Sequence, residues 1–272
     1  MTLAEILGGL AREETGSADV AYLLAGLLEC PLPQLPLLRE RELDPELQGR
    51  LDRSLARLRA GEPPQYILGR AWFWGLELNV DPRVLIPRPE TEGLVEMALE
   101  LIQLRGRILE IGTGSGAIAI ALKTQRPDLV LTAVDISPAA LEVARGNAAL
   151  HSADIDFVEA DLFPPGENRF DLIISNPPYI GDAEYWDLEP GVRDFEPRQA
   201  LLAAEDGLEY YRKVLSRTGN YLSDKGMLLF EHGAGQQDGI IALGRAENMC
   251  CFLARQDLAG RDRYLGFRQN DA

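Results

Sequence analysis

Two prolines set directly behind a short apolar run constrain this chain more than any other feature. The stretch Asp171-Leu-Ile-Ile-Ser-Asn-Pro-Pro-Tyr179 opens with Leu172, Ile173 and Ile174, a run suited to a strand buried on both faces of a parallel sheet. Pro177 and Pro178 then forbid both a helix and a continued ladder. The strand therefore delivers a rigid loop at its carboxyl end, where open α/β sheets place their ligands. Asn176 offers a side-chain carbonyl, and the Pro-Pro backbone offers carbonyls with no N–H donors of its own. Tyr179 adds a flat ring. Such a notch suits a planar NH2 group, with two acceptors for its hydrogens and an aromatic face for its plane. A proline turn after a core strand would carry the same residues, so the upstream sequence has to decide.

Upstream, from about Arg105, strands and helices alternate, the signature of a doubly wound sheet. Ile108 to Ile111 reads as a strand, Gly112-Thr-Gly-Ser-Gly116 as a glycine loop, and Ala117 to Lys123 as the start of a helix. Glycines without Cβ atoms let a ligand lie against the backbone at a helix amino end. A second strand, Leu129 to Val134, ends at Asp135, 23 residues past Gly112, where a carboxylate can hold two ribose hydroxyls. Ser137-Pro138 caps the next helix, and a third strand, Ile155 to Val158, precedes Asp161-Leu162-Phe163. Gly112, Gly114 and Ala117 fit a dinucleotide fingerprint as well as a methyl-donor site. Glu110 favours the donor, because a nearby carboxylate repels a pyrophosphate and attracts a sulfonium and an amino group.

The first 70 or so residues read as helical. Leu3, Ile6, Leu7 and Leu10 follow helical spacing. Ser17 can cap a second helix that Pro31 ends, and Asp44-Pro45 opens a third with the stripe Leu47, Leu51, Leu55, Leu58. Arg50, Arg53 and Arg57 lie on another face of that helix, either solvated or docking an acidic partner. After Gly61-Glu62-Pro63-Pro64, an aromatic, glycine-punctuated segment leads to Leu76, Leu78 and Val80. With a turn at Asp81-Pro82 and a return through Val84 to Ile86, it reads as a hairpin. Ile86-Pro-Arg-Pro-Glu-Thr-Glu92 then opens a helix. Cys250 and Cys251 are expected in a buried strand, and the three cysteines and two histidines show no metal-ligand spacing. A net charge of −16 disfavours a partner held through phosphates. The first residues lack a signal-peptide pattern and no stretch approaches a membrane span, which sets the expectation of a cytoplasmic chain.

From about Glu62 to Arg263 the chain resembles the HemK/PrmC family, protein-(glutamine-N5) methyltransferases that modify class 1 peptide chain release factors. The resemblance is carried by Glu110-Ile-Gly-Thr-Gly-Ser-Gly116 and Asn176-Pro-Pro-Tyr179, with Tyr66-Ile-Leu-Gly69 and Phe73-Trp-Gly75. It extends through Val84-Leu-Ile-Pro-Arg-Pro-Glu-Thr-Glu92, Arg193-Asp-Phe-Glu-Pro197, Asp206-Gly207, Glu231-His-Gly233 and Asp257-Leu-Ala-Gly-Arg-Asp-Arg263. It implies an α/β, Rossmann-like class I S-adenosylmethionine-dependent methyltransferase with a seven-stranded, mostly parallel sheet. A small helical domain at 1–70 for substrate docking, a linking β-hairpin at 71–88 and a methyltransferase domain at 89–272 complete the expectation.

By the same resemblance, S-adenosyl-L-methionine is the methyl donor, held by Glu110, Gly112, Thr113, Gly114, Ser115, Gly116, Asp135, Asp161, Leu162 and Asn176. Family members often carry an aromatic where this chain has Leu162, with Phe163 next. Asn176, Pro177, Pro178 and Tyr179 grip the target glutamine, Asn176 and Pro177 catalytically. Glu90, Arg193 and Glu231 stand in the motifs with two readings, in the site or bracing it. The implied partner is a class 1 release factor met by a monomer, with neither DNA, membrane nor metal. The competing classes are an adenine-N6 or cytosine-N4 nucleic-acid methyltransferase, which shares the notch but needs a basic groove, and a donor-binding module without catalysis.

Overall fold

Successive side chains of a strand leave its two faces in turn, and the central strands of this protein feed two separate apolar cores in that way. The computed structural model describes residues 3, 5, 17–103, 105–166, 168–204 and 206–270. It comprises two units, Met1–Arg70 with Glu189–Phe195, and Ala71–Leu188 with Glu196–Ala272.

In the first unit, helices Ser17–Leu27, Pro45–Arg59 and Pro64–Leu68 surround a leucine core that includes Leu23, Leu24, Leu51, Leu55 and Leu58. Asp44 caps the second of these as its sequence predicts, accepting from the Leu47 amide at 2.8 Å. Arg57 is paired with Glu62, whereas Arg50 and Arg53 are exposed. Pro64–Leu68, inside the stretch expected to be helical, forms a short helix ended by Gly69 at φ +72°. The expected first helix, around Ile6, Leu7 and Leu10, lies outside the described residues.

The second unit is built on a seven-stranded sheet in the order β5-β4-β3-β6-β7-β9-β8. The strands are β3 (Arg107–Ile111), β4 (Val130–Asp135), β5 (Asp156–Glu159), β6 (Phe170–Ser175), β7 (Leu222–Glu231), β8 (Met249–Gln256) and β9 (Asp262–Gln269). β3 to β7 run parallel, and β9 lies antiparallel to both β7 and β8. Ile108, Leu172, Ile174 and Leu229 enter one core; Leu109, Ile173, Leu228 and Phe230 enter the other. After β5 the chain crosses back to lay β6 beside β3, so the strand order reverses between these two. The reversal opens a crevice at their carboxyl ends.

A separate two-stranded sheet pairs β1 (Arg70–Phe73) with β2 (Leu76–Asn79). Here the structure corrects the sequence reading. The turn is Trp74-Gly75, at φ +52° and +72°, the pair of positive φ values that a two-residue hairpin favours. Asp81-Pro82 turns nothing back into a sheet, because the end of β2 is already taken. The Asn147 side chain accepts from the Asn79 amide at 2.8 Å and donates to its carbonyl at 2.9 Å, as a neighbouring strand would. A second correction concerns Cys250 and Cys251. They lie on a strand, but β8 is an edge of the sheet, and both are half-buried. Among the described residues no single helix is long and apolar enough to cross a membrane.

Candidate active site

β3 and β6 end side by side, and the Ser175 hydroxyl donates to the Ile111 carbonyl at 2.8 Å, locking the two strand ends together. The glycine loop leaves β3 and curls over β4, with the Gly112 and Thr113 amides both donating to the Val134 carbonyl. Gly112, Gly114 and Gly116 hold φ values of +75°, +55° and +83°, which residues with a Cβ rarely adopt. At Gly112 and Gly114 a Cβ would meet nothing within 4 Å, so open space lies against the backbone there. At Gly116 it would strike Ile120 and Ala144, so that glycine serves helix packing.

Asp135, at the end of β4, accepts from the Gly114 amide on Oδ2 and the Ser137 amide on Oδ1, both at 2.9 Å. Both oxygens keep lone pairs for a ligand. Burial raises its carboxyl above the ordinary range, and the three backbone donors around it oppose that shift. Asp161 and Leu162 follow β5. Leu162 sits at φ +72° in a tight turn closed by the Phe163 amide on the Asp161 carbonyl. That turn separates the two candidates for packing an adenine. Leu162 faces the cleft, while Phe163 is buried and stacked on Tyr221 with ring centroids 4.4 Å apart.

A cleft of about 280 Å³ joins these elements. It is lined by Gly112, Gly114, Asp135, Asp161 and Leu162 and also by Asn176, Pro177 and Pro178. The crevice therefore brings together the two motifs, which stand over 60 residues apart in the chain.

Glu110 requires a correction. Its carboxylate is fully buried away from the cleft, accepting from the Thr113 hydroxyl at 2.7 Å and the Ala119 amide at 3.1 Å. Burial pushes the group up to about 8. That shift favours the neutral form, against the charge argument drawn from Glu110, and its two bonds brace the loop against the following helix. Strand parity carried this signal, since Leu109 and Ile111 share one core and Glu110 lies between them facing the other way. Thr113, Ser115 and Gly116 likewise stand behind the wall. Tyr179 is also off it: its ring packs against Gly233, and its carbonyl accepts from Gln236.

Asn176 is held by a residue that sequence reading passed over. Its amide nitrogen donates to the Thr91 hydroxyl at 3.0 Å, which leaves Oδ1 as the acceptor. Other lining residues arrive from distant segments: Arg83 to Leu85, then Pro197, Gln199 and Ala200, and Tyr210 with Lys213 one turn apart on helix Glu209–Thr218. The adjacent tyrosines divide, Tyr210 to the cleft and Tyr211 to the core. Buried Glu196 fixes the first of these segments by accepting from the Ile86 amide and from Arg88. Among the described residues no cluster of three or more His, Cys, Asp or Glu could hold a metal ion.

Residues 91–187 match the model for the methyltransferase small domain, and residues 4–69 match the model for the PrmC N-terminal domain. Curated relatives extend over almost the whole chain. The release factor glutamine methyltransferase of Geobacter sulfurreducens is 40% identical over 94% of this chain and 90% of its own length. That of Vibrio cholerae is 41% identical over 92% and 88%, and that of Neisseria gonorrhoeae 38% over 97% and 96%. Among solved structures, a methyltransferase of Pyrococcus furiosus superposes with a TM-score of 0.54 at 18% identity, covering 81% of this chain and 96% of that one. The E. cuniculi Mtq2–Trm112 complex, responsible for methylating the termination factor eRF1, gives 0.50 at 17% identity, over 69% and 99%.

A seven-stranded, mostly parallel sheet with a ligand-sized crevice at its reversal point makes this a methyltransferase of the class I fold. Identity near 40% over nine-tenths of both chains then narrows the class: the chain belongs to the release factor glutamine methyltransferase family.

Proposed function

We propose that this protein methylates the side-chain amide nitrogen, N5, of a glutamine in a class 1 peptide chain release factor, with S-adenosyl-L-methionine as donor and S-adenosyl-L-homocysteine as product. One observation carries the reading: Asn176, Pro177 and Pro178 wall the same cleft as Gly112, Gly114, Asp135 and Asp161. The residues fit the donor. Open space against two glycines at positive φ, a carboxylate with free lone pairs and an apolar surface at Leu162 suit a ribose and a base.

When bound, the donor supplies a methyl group on a positively charged sulfur. Gly112, Gly114, Asp135, Asp161 and Leu162 are the residues assigned to hold it. The acceptor chemistry falls to the proline loop. An amide nitrogen is a poor nucleophile because its lone pair is delocalised into the carbonyl. Asn176 Oδ1 and the Pro177 carbonyl, accepting from its two N–H groups, fix its direction. They also favour the more pyramidal, positive nitrogen of the transition state. Holding the reactants in register removes a further entropic cost. The positively charged product nitrogen releases its proton to water, so no general base is assigned.

We assign the helical unit to docking of the release factor, and we place the enzyme in the cytoplasm as a monomer with neither DNA nor membrane as partner. A net charge of −16 supports a protein acceptor over a phosphate-bound one. The test is Asn176→Ala. Losing one such acceptor removes roughly 2.7–4 kcal/mol of transition-state stabilisation, by analogy with oxyanion-hole donors. Single-turnover methyl transfer should fall by roughly 10²–10³-fold while calorimetry shows donor affinity retained. Unchanged turnover would contradict the assignment.

A further inference from the structure

A planar conjugated base is recognised through its faces, and an aromatic ring stacked on one of them adds affinity that aliphatic contact does not. Among the described residues that line the cleft, Tyr210 is the one aromatic side chain. Val134, Ile136 and Leu162, which line it with Asp135 and Asp161, are aliphatic. The aromatic nearest to Asp161 in the chain is Phe163, and it is already engaged. Its ring is buried and stacked on Tyr221, and the Arg217 guanidinium stands 5.0 Å from its centroid.

Helix Glu209–Thr218 brings Tyr210 to the cleft. Tyr210, Lys213 and Arg217 stand at i, i+3 and i+7 and so share one face. Arg217 donates to the Asp161 carbonyl at 3.3 Å, which lays this face along the Asp161–Phe163 turn. Two turns nearer the amino end, Tyr210 and Lys213 carry the same face into the cleft. Tyr210 packs against the core that also holds Leu162 and Phe163. Lys213 Nζ lies 5.5 Å from the Tyr210 ring centroid and is paired with Glu209 at 2.6 Å, a cation–π contact that steadies the ring.

The neighbouring tyrosine shows what a purely structural ring on this helix looks like. Tyr211 is fully buried, meets Phe230 edge-on at 5.1 Å, and donates its hydroxyl to the Glu231 carbonyl at 2.9 Å. Tyr210 is half-buried and turned to the cleft instead.

We propose that Tyr210 is a donor-binding residue whose ring packs on the adenine of S-adenosylmethionine and supplies the flat face that Leu162 lacks. The proposal rests on the functional reading above and adds to it the residue that recognises the base.

The test is calorimetric titration of wild type and three variants with S-adenosylhomocysteine, followed by steady-state transfer to a purified release factor. Tyr210→Ala should bind roughly tenfold or more weakly. Tyr210→Leu, apolar but not flat, should lose nearly as much, whereas Tyr210→Phe, which keeps the ring, should stay within about twofold of wild type. In the transfer assay the donor KM of Tyr210→Ala should rise by the factor lost in affinity, with kcat at saturating donor unchanged, as for a group that touches the base and not the reacting atoms. Tyr210→Ala or Tyr210→Leu binding within about twofold of wild type, or Tyr210→Phe falling as far as Tyr210→Ala, overturns the assignment and leaves the function intact. A wild-type protein that does not bind S-adenosylhomocysteine overturns the functional reading and the assignment with it.

Discussion

Gly114 shows how little separates a loop from a binding site at the level of a single residue. At φ +55° an added Cβ would be strained by about 1–2 kcal/mol, yet it would touch nothing in the protein, only the space assigned to the donor. Gly114→Ala should therefore stay folded and bind S-adenosylhomocysteine at least roughly tenfold more weakly by calorimetric titration; unchanged affinity would place the donor elsewhere. Glu110 makes the opposite point, a motif residue whose work is internal. Its folded-state value of about 8 stands above the ordinary 4.5, with burial the main cause. A raised carboxyl stabilises the fold in its protonated form. That contribution is complete below about 4.5 and is lost as pH rises through about 8, at up to roughly 1.4 kcal/mol per pH unit. Urea titrations between about pH 6 and about pH 8 should show wild type losing more stability than Glu110→Gln. Equal losses would mean the carboxyl is ionised throughout.

Elements converge on the site through polar side chains that stand in for backbone. Asn147, fully buried on helix Pro138–Leu150, binds both backbone groups of Asn79 and the Ser115 carbonyl at 3.0 Å, tying that helix to β2 and to the glycine loop. Asn79 is exposed and can be rehydrated, but Ser115 is buried and cannot. Asn147→Ala should thus cost about 1–3 kcal/mol in urea unfolding and weaken donor binding by loosening the loop. A variant as stable as wild type would show the contact to be incidental. The same residue explains what sequence reading missed. Strands β3, β4 and β6 were legible because short, mainly apolar runs that meet Gly, Asp or Pro at or just past their ends have few alternatives. The hairpin turn was not, because Trp74 is a poor turn former by local preference. What competes with Asp81-Pro82 is an asparagine 68 positions away. The cleft's own residues divide in the same way. Gly112, Asp135 and Asn176 announce themselves by motif, whereas Tyr210, Lys213 and Arg83 arrive through packing that no local pattern encodes.

For the molecule as a whole, the class of reaction was readable because two loops must meet where the strand order reverses, and strand count alone locates that point. The proposed acceptor rests on chemistry and kinship together: a loop suited to a planar NH2 group, an acidic chain, and relatives that match over nine-tenths or more of both chains. Donor binding belongs to this scale as well. S-adenosylhomocysteine at about 100 times its Kd should stabilise the protein by about 2.7 kcal/mol, seen as a raised Tm, and a nicotinamide dinucleotide should leave the Tm unmoved. The most direct measurement offers the intact protein methyl-labelled S-adenosylmethionine with an unmethylated class 1 release factor, duplex DNA and tRNA in one mixture, and then locates the label by peptide mass. The expected result is a single methyl group on one glutamine side chain of the release factor. Label on nucleic acid, or on no acceptor at all, would contradict it.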